Sequence, residues 1–188
     1  MQNRSHKLLA STLLRDADGF SARRYELAFL FGSFQPDCNP LTYLKGSVRE
    51  QRFRGHNFRN SELYINSRIR KLQRRVRWTM WQYYTLGKLT HYLADAYTYP
   101  HNDNYPDSLM DHRRYENALR EYLASYLGGC APRFESIRPR EELVADLRSL
   151  HNQYMDSVAG MYRDAQFILE ATRLLMSGCL PRPIPVCG

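Results

Sequence analysis

The hydrophobic residues of this chain recur with the period of a helix along almost its whole length. From about Asn60, apolar residues stand three or four positions apart at Ile65, Ile69, Leu72, Val76 and Met80, and charged residues fill the other faces. The alternation typical of a strand is nearly absent. The pattern therefore predicts an all-α, single-domain helical bundle over residues 1–180, followed by a Pro-rich C-terminal tail at 181–188.

The composition agrees with one folded domain and with no membrane span. Hydrophobic residues make up 43% of the 188, and no apolar run approaches the ~20 residues that cross a bilayer. The first residues lack the apolar segment of a secretory signal. We expect a cytoplasmic protein, or a secreted one if an upstream signal was removed. The cysteine spacing favours reduced thiols, and a Cys179–Cys187 pair stays open for an exported protein.

Positive charge is concentrated in the second quarter of the chain. Residues 51–100 carry 10 Lys and Arg against 2 Asp and Glu, which matches the net charge of +8 of the whole sequence. The simplest interpretation is that these basic residues form the solvent-exposed face of a helix. A peripheral contact with an anionic membrane surface, or with a nucleic-acid backbone, stays open. The basic residues concerned are Arg68, Arg70, Lys71, Arg74 and Arg75.

Two histidines each precede a carboxylate by four residues. His91 and Asp95 form one pair, and His112 and Glu116 form the other. On a helix this spacing puts both side chains of a pair on one face, about 6 Å apart. A buried carboxylate is costly unless it is paired or binds a metal. With His101 in the turn between the two helices, the pairs predict a metal site.

Three further candidate ligands lie upstream. Asp37 stands in the Pro-containing stretch Gly32–Pro40, which predicts a loop, His56 stands in a second loop, and His6 lies on the first helix. Imidazole and carboxylate ligands without a thiolate suit catalytic Zn²⁺, while Mn²⁺ and Fe²⁺ stay open. His151 has no carboxylate at helical spacing, so we interpret it as a structural or surface residue.

The order of these residues resembles the zinc-dependent phospholipases C and, more distantly, the single-strand-specific zinc nucleases. The shared pattern is His, Asp, His, then His-x3-Asp-x5-His, then His-x3-Glu. It is carried by His6, Asp37, His56, His91, Asp95, His101, His112 and Glu116. The final His-x3-Glu resembles the phospholipases, because the nucleases usually have Asp there. The resemblance implies an all-α bundle with a trinuclear metal site between its helices.

Carried over residue by residue, the resemblance implies up to three zinc ions. One ion would take Asp37, His56, His91 and Asp95, a second His101, His112 and Glu116, and a third His6 and Asp95. In the family an N-terminal Trp completes the third site. This chain has Met1 at that place, so either Met1 substitutes for Trp or the third ion is weak or completed by water.

The resemblance also implies the hydrolysis of a phosphodiester. Asp37 would orient or deprotonate the attacking water, and the substrate would be a phospholipid or another phosphodiester, with nucleic acid less favoured. A module in which zinc only stabilises the bundle stays open as a non-catalytic alternative.

Overall fold

A computed structural model describes residues 1–38, 58–102, 109–129 and 142–181 of the chain, and every regular element in these ranges is helical. The predicted all-α class is therefore confirmed. A 3₁₀ turn, Tyr99–His101, lies between α4 and α5. The helices are α1 (Asn3–Asp16), α2 (Arg23–Cys38), α3 (Phe58–Gln73), α4 (Met80–Ala96), α5 (Leu109–Gly129), α6 (Leu143–Asp156) and α7 (Met161–Cys179).

Helix α4 forms the centre of the bundle and contacts α1, α2, α3 and α7. Its start is fixed by a reciprocal cap. The Thr79 N–H donates to Gln82 Oε1 at 2.8 Å, and the Trp81 N–H donates to Thr79 Oγ1 at 3.3 Å. Such a capping box satisfies backbone donors that the first turn leaves unpaired. The C-terminal half of α4 is almost wholly buried, and it contains His91 and Asp95.

Two glycines let α2 and α4 pack with their backbones in close contact. A β-carbon on Gly32 would overlap the carbonyl oxygen of Tyr84, and one on Gly87 would overlap that of Phe29. Phe29 lies opposite Gly87, and Ser33 lies opposite His91, so the two helices run in the same direction. Their C-terminal ends therefore meet, which brings Asp37 to His91.

The predicted loop over Gly32–Pro40 is wrong as far as Cys38, because α2 continues through Pro36. Proline lacks a backbone N–H and removes one hydrogen bond, to the carbonyl of Gly32. Pro36 lies in the last turn, and close packing against α4 offsets this loss. Asp37 is consequently held on a helix and not on a loop.

The apolar run expected beyond Leu72 also ends earlier than the sequence suggests. Ile65, Ile69 and Leu72 are buried as predicted, but Val76 is 92% exposed and Met80 is about half exposed. Helix α3 stops at Gln73, and α4 starts in a new direction at the Thr79 cap, so the face does not continue. The basic residues predicted on this stretch are exposed, namely Arg68, Arg70, Lys71, Arg74 and Arg75.

The last third of the described chain forms two helices, α6 and α7. His151 on α6 is buried against the rings of Tyr97 and Tyr154, as a structural residue would be. Residues 182–188, which include Cys187, lie outside the described ranges. None of the described helices is long and apolar enough to cross a membrane.

Candidate metal centre

Seven of the eight predicted metal-binding side chains lie within the described residues, and they converge at one end of the bundle. Helix α1 supplies His6, the end of α2 supplies Asp37, α4 supplies His91 and Asp95, the 3₁₀ turn supplies His101, and α5 supplies His112 and Glu116. The eighth, His56, lies outside the described residues. Five separate elements thus contribute to one cluster.

The first group of possible ligands consists of His6, His91 and Asp95, all at most 1% exposed. Asp95 lies between the two imidazoles, with Oδ1 3.2 Å from His6 Nε2 and Oδ2 3.3 Å from His91 Nε2. The two rings stack with their centroids 3.8 Å apart. Each oxygen of one carboxylate therefore faces a different ring nitrogen, and the three side chains together could hold a metal ion.

Asp37 lies at the edge of this group. Its Oδ1 is 3.6 Å from His91 Nε2, and its Oδ2 is 3.9 Å from His6 Nε2. Burial raises the pKa of Asp37 to about 6, with a further contribution from Asp95 and an opposing one from His91. Oδ2 makes no hydrogen bond within the described part of the chain. Asp37 therefore offers a carboxylate oxygen that, within the described chain, is available to a metal ion or a water.

The second group consists of His101, His112 and Glu116. Glu116 Oε1 lies 3.2 Å from the Nε2 atoms of both histidines. Burial alone would raise the pKa of Glu116, but hydrogen bonds from His101 and His112 outweigh it and hold the pKa well below its usual range. His112 is 28% exposed and Glu116 13%. In the described structure this group therefore borders the solvent, whereas the first group is enclosed.

The α-amine of Met1 lies between the two groups. It is 2.6 Å from Asp95 Oδ1, 2.9 Å from His101 Nε2 and 3.1 Å from Glu116 Oε1. Burial works against the ammonium form, but Asp95 and Glu116 outweigh burial and raise the pKa of the amine to about 10. The amine in turn helps to hold the pKa of Asp95 well below its usual range, against the effect of burial.

A backbone contact fixes the orientation of the His91 ring. Its Nδ1 lies 2.9 Å from the carbonyl oxygen of Ser33. A carbonyl can only accept, so Nδ1 carries a proton and donates to it. Nε2 then faces the oxygens of Asp37 and Asp95. This arrangement of a histidine with its other nitrogen bound to a backbone carbonyl is typical of metal ligands.

Among the described residues, this buried cluster has several electron-pair donors and too little positive charge to balance its carboxylates. Burial, together with the nearby His91, lowers the pKa of His6 to about 3, so its ring is neutral. In the described part of the chain, three carboxylates, those of Asp37, Asp95 and Glu116, face the one ammonium of Met1. Buried carboxylates without enough counter-charge are strongly unfavourable. The residues present therefore fit one or more bound cations, and their nitrogen and oxygen donors suit zinc.

Comparison with known proteins decides the family. A family model described as zinc dependent phospholipase C matches residues 5–161, well over half of the chain. The chain belongs to the zinc-dependent phospholipase C family. The resemblance seen in the sequence is thus confirmed, and membership of this family supports a zinc-dependent phosphodiesterase or phospholipase function in general terms. A search of curated proteins and a search of solved structures each find no match to this phospholipase C family member.

Ser33 is the functional contact that the sequence did not reveal. Its carbonyl lies 58 positions before His91, and every residue type offers the same backbone oxygen. The only indirect signals are Gly32 and Gly87, which permit the close approach of α2 and α4. The spacing of the histidines does not indicate that Gly32 packs against α4 or that Gly87 packs against α2.

Proposed function

We propose that this member of the zinc-dependent phospholipase C family cleaves the headgroup phosphodiester of a phospholipid, using up to three zinc ions. The observation that carries the proposal is the convergence of imidazoles and carboxylates from five elements, with one group buried and one bordering the solvent. This combination provides both firm metal binding and access for a phosphate.

The ligand roles follow from the two groups. His101, His112 and Glu116 would hold one ion, and His91 and Asp95, with Asp37 and His56, would hold another. The α-amine of Met1, after losing its extra proton to the solvent, would hold a third together with His6 and the second oxygen of Asp95. When bound, zinc supplies Lewis acidity and positive charge that favour a phosphate at this position.

The residues of the chain would then accept the proton of the attacking water, orient the metal ligands and admit the phosphate. Asp37 Oδ2 accepts a proton from the water whose oxygen forms the new bond to phosphorus. As that bond forms, the phosphorus–oxygen bond to the leaving alcohol breaks, the alcohol oxygen takes up a proton from solvent, and Asp37 later returns its proton to solvent. The Ser33 carbonyl keeps the His91 ring in place throughout. The partly exposed side of His112 and Glu116 admits the phosphate.

Exposure of the second group favours catalysis over a purely structural role for zinc. A structural zinc site is usually closed by four protein ligands, whereas a catalytic site keeps a position open. His112 is 28% exposed and the group offers three protein ligands among the described residues. This observation supports a site that a substrate can reach.

We also propose that the protein binds a membrane surface peripherally. The contact would be made by the exposed basic side chains of α3 and of the segment after it. Arg74 and Arg75 are exposed beside Val76, and Trp81 is 73% exposed a few residues further on. Arginines next to exposed apolar and indole side chains favour an anionic membrane surface. Binding to vesicles with and without anionic lipid, at low and high salt, tests this part.

The decisive experiment joins metal analysis to two hydrolysis assays. The purified protein is assayed with a chromogenic phosphocholine diester and with single-stranded DNA, each with and without a chelator. We expect zinc in the protein and chelator-sensitive cleavage of the phosphocholine diester. Cleavage of DNA but not of the phosphocholine diester would instead indicate that the protein is a nuclease. Bound zinc with no cleavage of either substrate would favour the non-catalytic alternative.

A further inference from the structure

Asp164, on the first turn of α7, is a buried carboxylate outside the metal cluster. It is fully buried and lies beyond residue 161, where the match to the family model ends. Both of its oxygens are occupied. Oδ2 accepts hydrogen bonds from the Tyr99 backbone N–H at 2.8 Å and from the Tyr115 hydroxyl at 2.9 Å. Oδ1 accepts from the Tyr154 hydroxyl at 2.8 Å and from Arg163 at 3.3 Å.

The two donors to Oδ2 belong to the segments that supply the second group of ligands. Tyr99 opens the 3₁₀ turn that ends at His101, and Tyr115 immediately precedes Glu116 on α5. One carboxylate oxygen therefore joins the His101 turn to the helix that carries Glu116. The turn is tied to the end of α4 through Asn102, whose side chain donates to the carbonyls of Ala96 and Thr98 at 3.1 and 3.0 Å. The contact with Asp164 adds a constraint from α7, which fixes the turn relative to α5.

Arg163 holds the carboxylate itself in place. Its guanidinium lies over the Tyr154 ring at 4.0 Å and the Tyr99 ring at 5.6 Å, and it donates to the Ser157 carbonyl at 3.0 Å. A buried carboxylate surrounded by donors contributes little net stability compared with an apolar replacement, but it can fix one geometry. The position of Asp164 points to such a geometric role.

We propose that Asp164 is a positioning residue, which holds His101 and Glu116 at the separation that the second metal site requires. The proposal rests on the proposed function for the identity of that site. It goes beyond that function because the hydrogen bonds given above connect Asp164 to Tyr99, Tyr115, Tyr154 and Arg163, which are not possible metal ligands. Instead it acts through a backbone N–H two residues from His101 and a hydroxyl one residue from Glu116.

The chain offers a matched pair of variants for the test. Tyr115→Phe and Tyr154→Phe each remove one hydroxyl that donates to Asp164. Tyr115 lies on the helix that carries Glu116, whereas Tyr154 lies on α6, which carries no possible ligand. Asp164→Asn is the third variant, because it keeps the shape of the side chain and removes its charge.

Zinc affinity is measured by competition with a chromophoric chelator, and a His112→Ala variant assigns the signal of the second group. We expect Asp164→Asn and Tyr115→Phe to weaken zinc binding at the second group by about tenfold or more, the range known for outer-shell partners, with the first group unchanged. We expect Tyr154→Phe to leave the ratio of the two affinities unchanged. Equal weakening of both groups, or no difference between the two Tyr variants, would overturn the proposal.

Hydrogen exchange in the metal-free protein separates this proposal from the proposed function. In wild type the Tyr99 amide is expected to exchange slowly, and in Asp164→Asn at least tenfold faster relative to the amides of α4. Faster exchange in the variant would show that Asp164 fixes the Tyr99–His101 turn. If zinc then failed to bind the wild-type protein, the proposed function would be wrong, but the positioning role of Asp164 would stand. An unchanged rate at Tyr99 would contradict the positioning role directly. If Asp164→Asn does not fold, Tyr115→Phe and Tyr154→Phe still give the affinity comparison.

Discussion

Gly87 on α4 lies so close to Phe29 on α2 that a β-carbon at position 87 would overlap the Phe29 carbonyl oxygen. This contact is what allows the ends of the two helices to meet. It places the Ser33 carbonyl 2.9 Å from His91 Nδ1 and Asp37 Oδ1 3.6 Å from His91 Nε2. The geometry of the buried ligand group therefore depends on a glycine one helical turn away.

Gly87→Ala is expected to lower the free energy of unfolding by about 2 kcal/mol or more, because backbone atoms cannot move aside as a flexible side chain can. Zinc affinity of the first group falls as well, since Asp37 moves away from His91. Urea denaturation and zinc titration measure the two effects. Gly128→Ala is the matched control, because a β-carbon there meets no atom within 4 Å. If both variants behave alike, the close packing has no role in the site.

Asp95→Asn removes a charge that faces His6, His91 and the α-amine of Met1 at once. Zinc affinity is expected to fall by more than the roughly 10–100-fold that follows loss of an outer-shell partner, and hydrolysis is expected to fall with it. Metal analysis and the phosphocholine assay provide the measurements. Asp156→Asn, at an exposed position on α6, is expected to change neither. Full zinc content and turnover in Asp95→Asn would refute the shared-ligand role.

Two residues added before Met1 are expected to displace the α-amine from Asp95 and Glu116. The proposed third zinc site would then lose a ligand, and the buried carboxylates would lose a cation at 2.6 Å and 3.1 Å. Native mass spectrometry should show one fewer zinc ion in the extended protein than in the unextended one. The same two residues placed after Gly188 serve as the control. Unchanged zinc content in the N-terminally extended protein would exclude the amine as a ligand.

The metal-free protein is expected to lose stability as the pH falls from 6.5 to 4, in part through His151. Burial lowers the pKa of His151 to about 4 from 6.5. The unfolded chain therefore binds a proton more readily than the folded one in this window, so protonation favours unfolding. The contribution is of order 3 kcal/mol. Denaturation of wild type and His151→Gln at pH 7 and pH 4.5 measures it, and equal pH dependence in the two proteins would contradict it.

The sequence predicts the parts of the site that depend on local spacing. A four-residue step on one helix brings His91 to Asp95 and His112 to Glu116, whatever the rest of the chain does. The all-α class follows from periodicity in the same way. His6, Asp37 and His101 were candidates from their residue type and position, and the family pattern supported them, but their convergence depends on how five elements pack.

Tertiary packing decided the features that the sequence did not predict. Pro36 favours a break in α2, but contact with α4 keeps the helix intact and places Asp37 on it. The end of α3 at Gln73 left Val76 exposed, although its spacing suited a buried face. The role inferred for Asp164 depends on contacts 49 and 65 residues away in the sequence. No local pattern encodes such contacts.

Anomalous diffraction at the zinc absorption edge, from crystals grown with zinc, tests the central claim most directly. One peak is expected between His101, His112 and Glu116, and at least one more beside His6, His91 and Asp95. Peaks only at surface positions, or none in a protein saturated with zinc, would contradict the assignment of these residues as the metal centre.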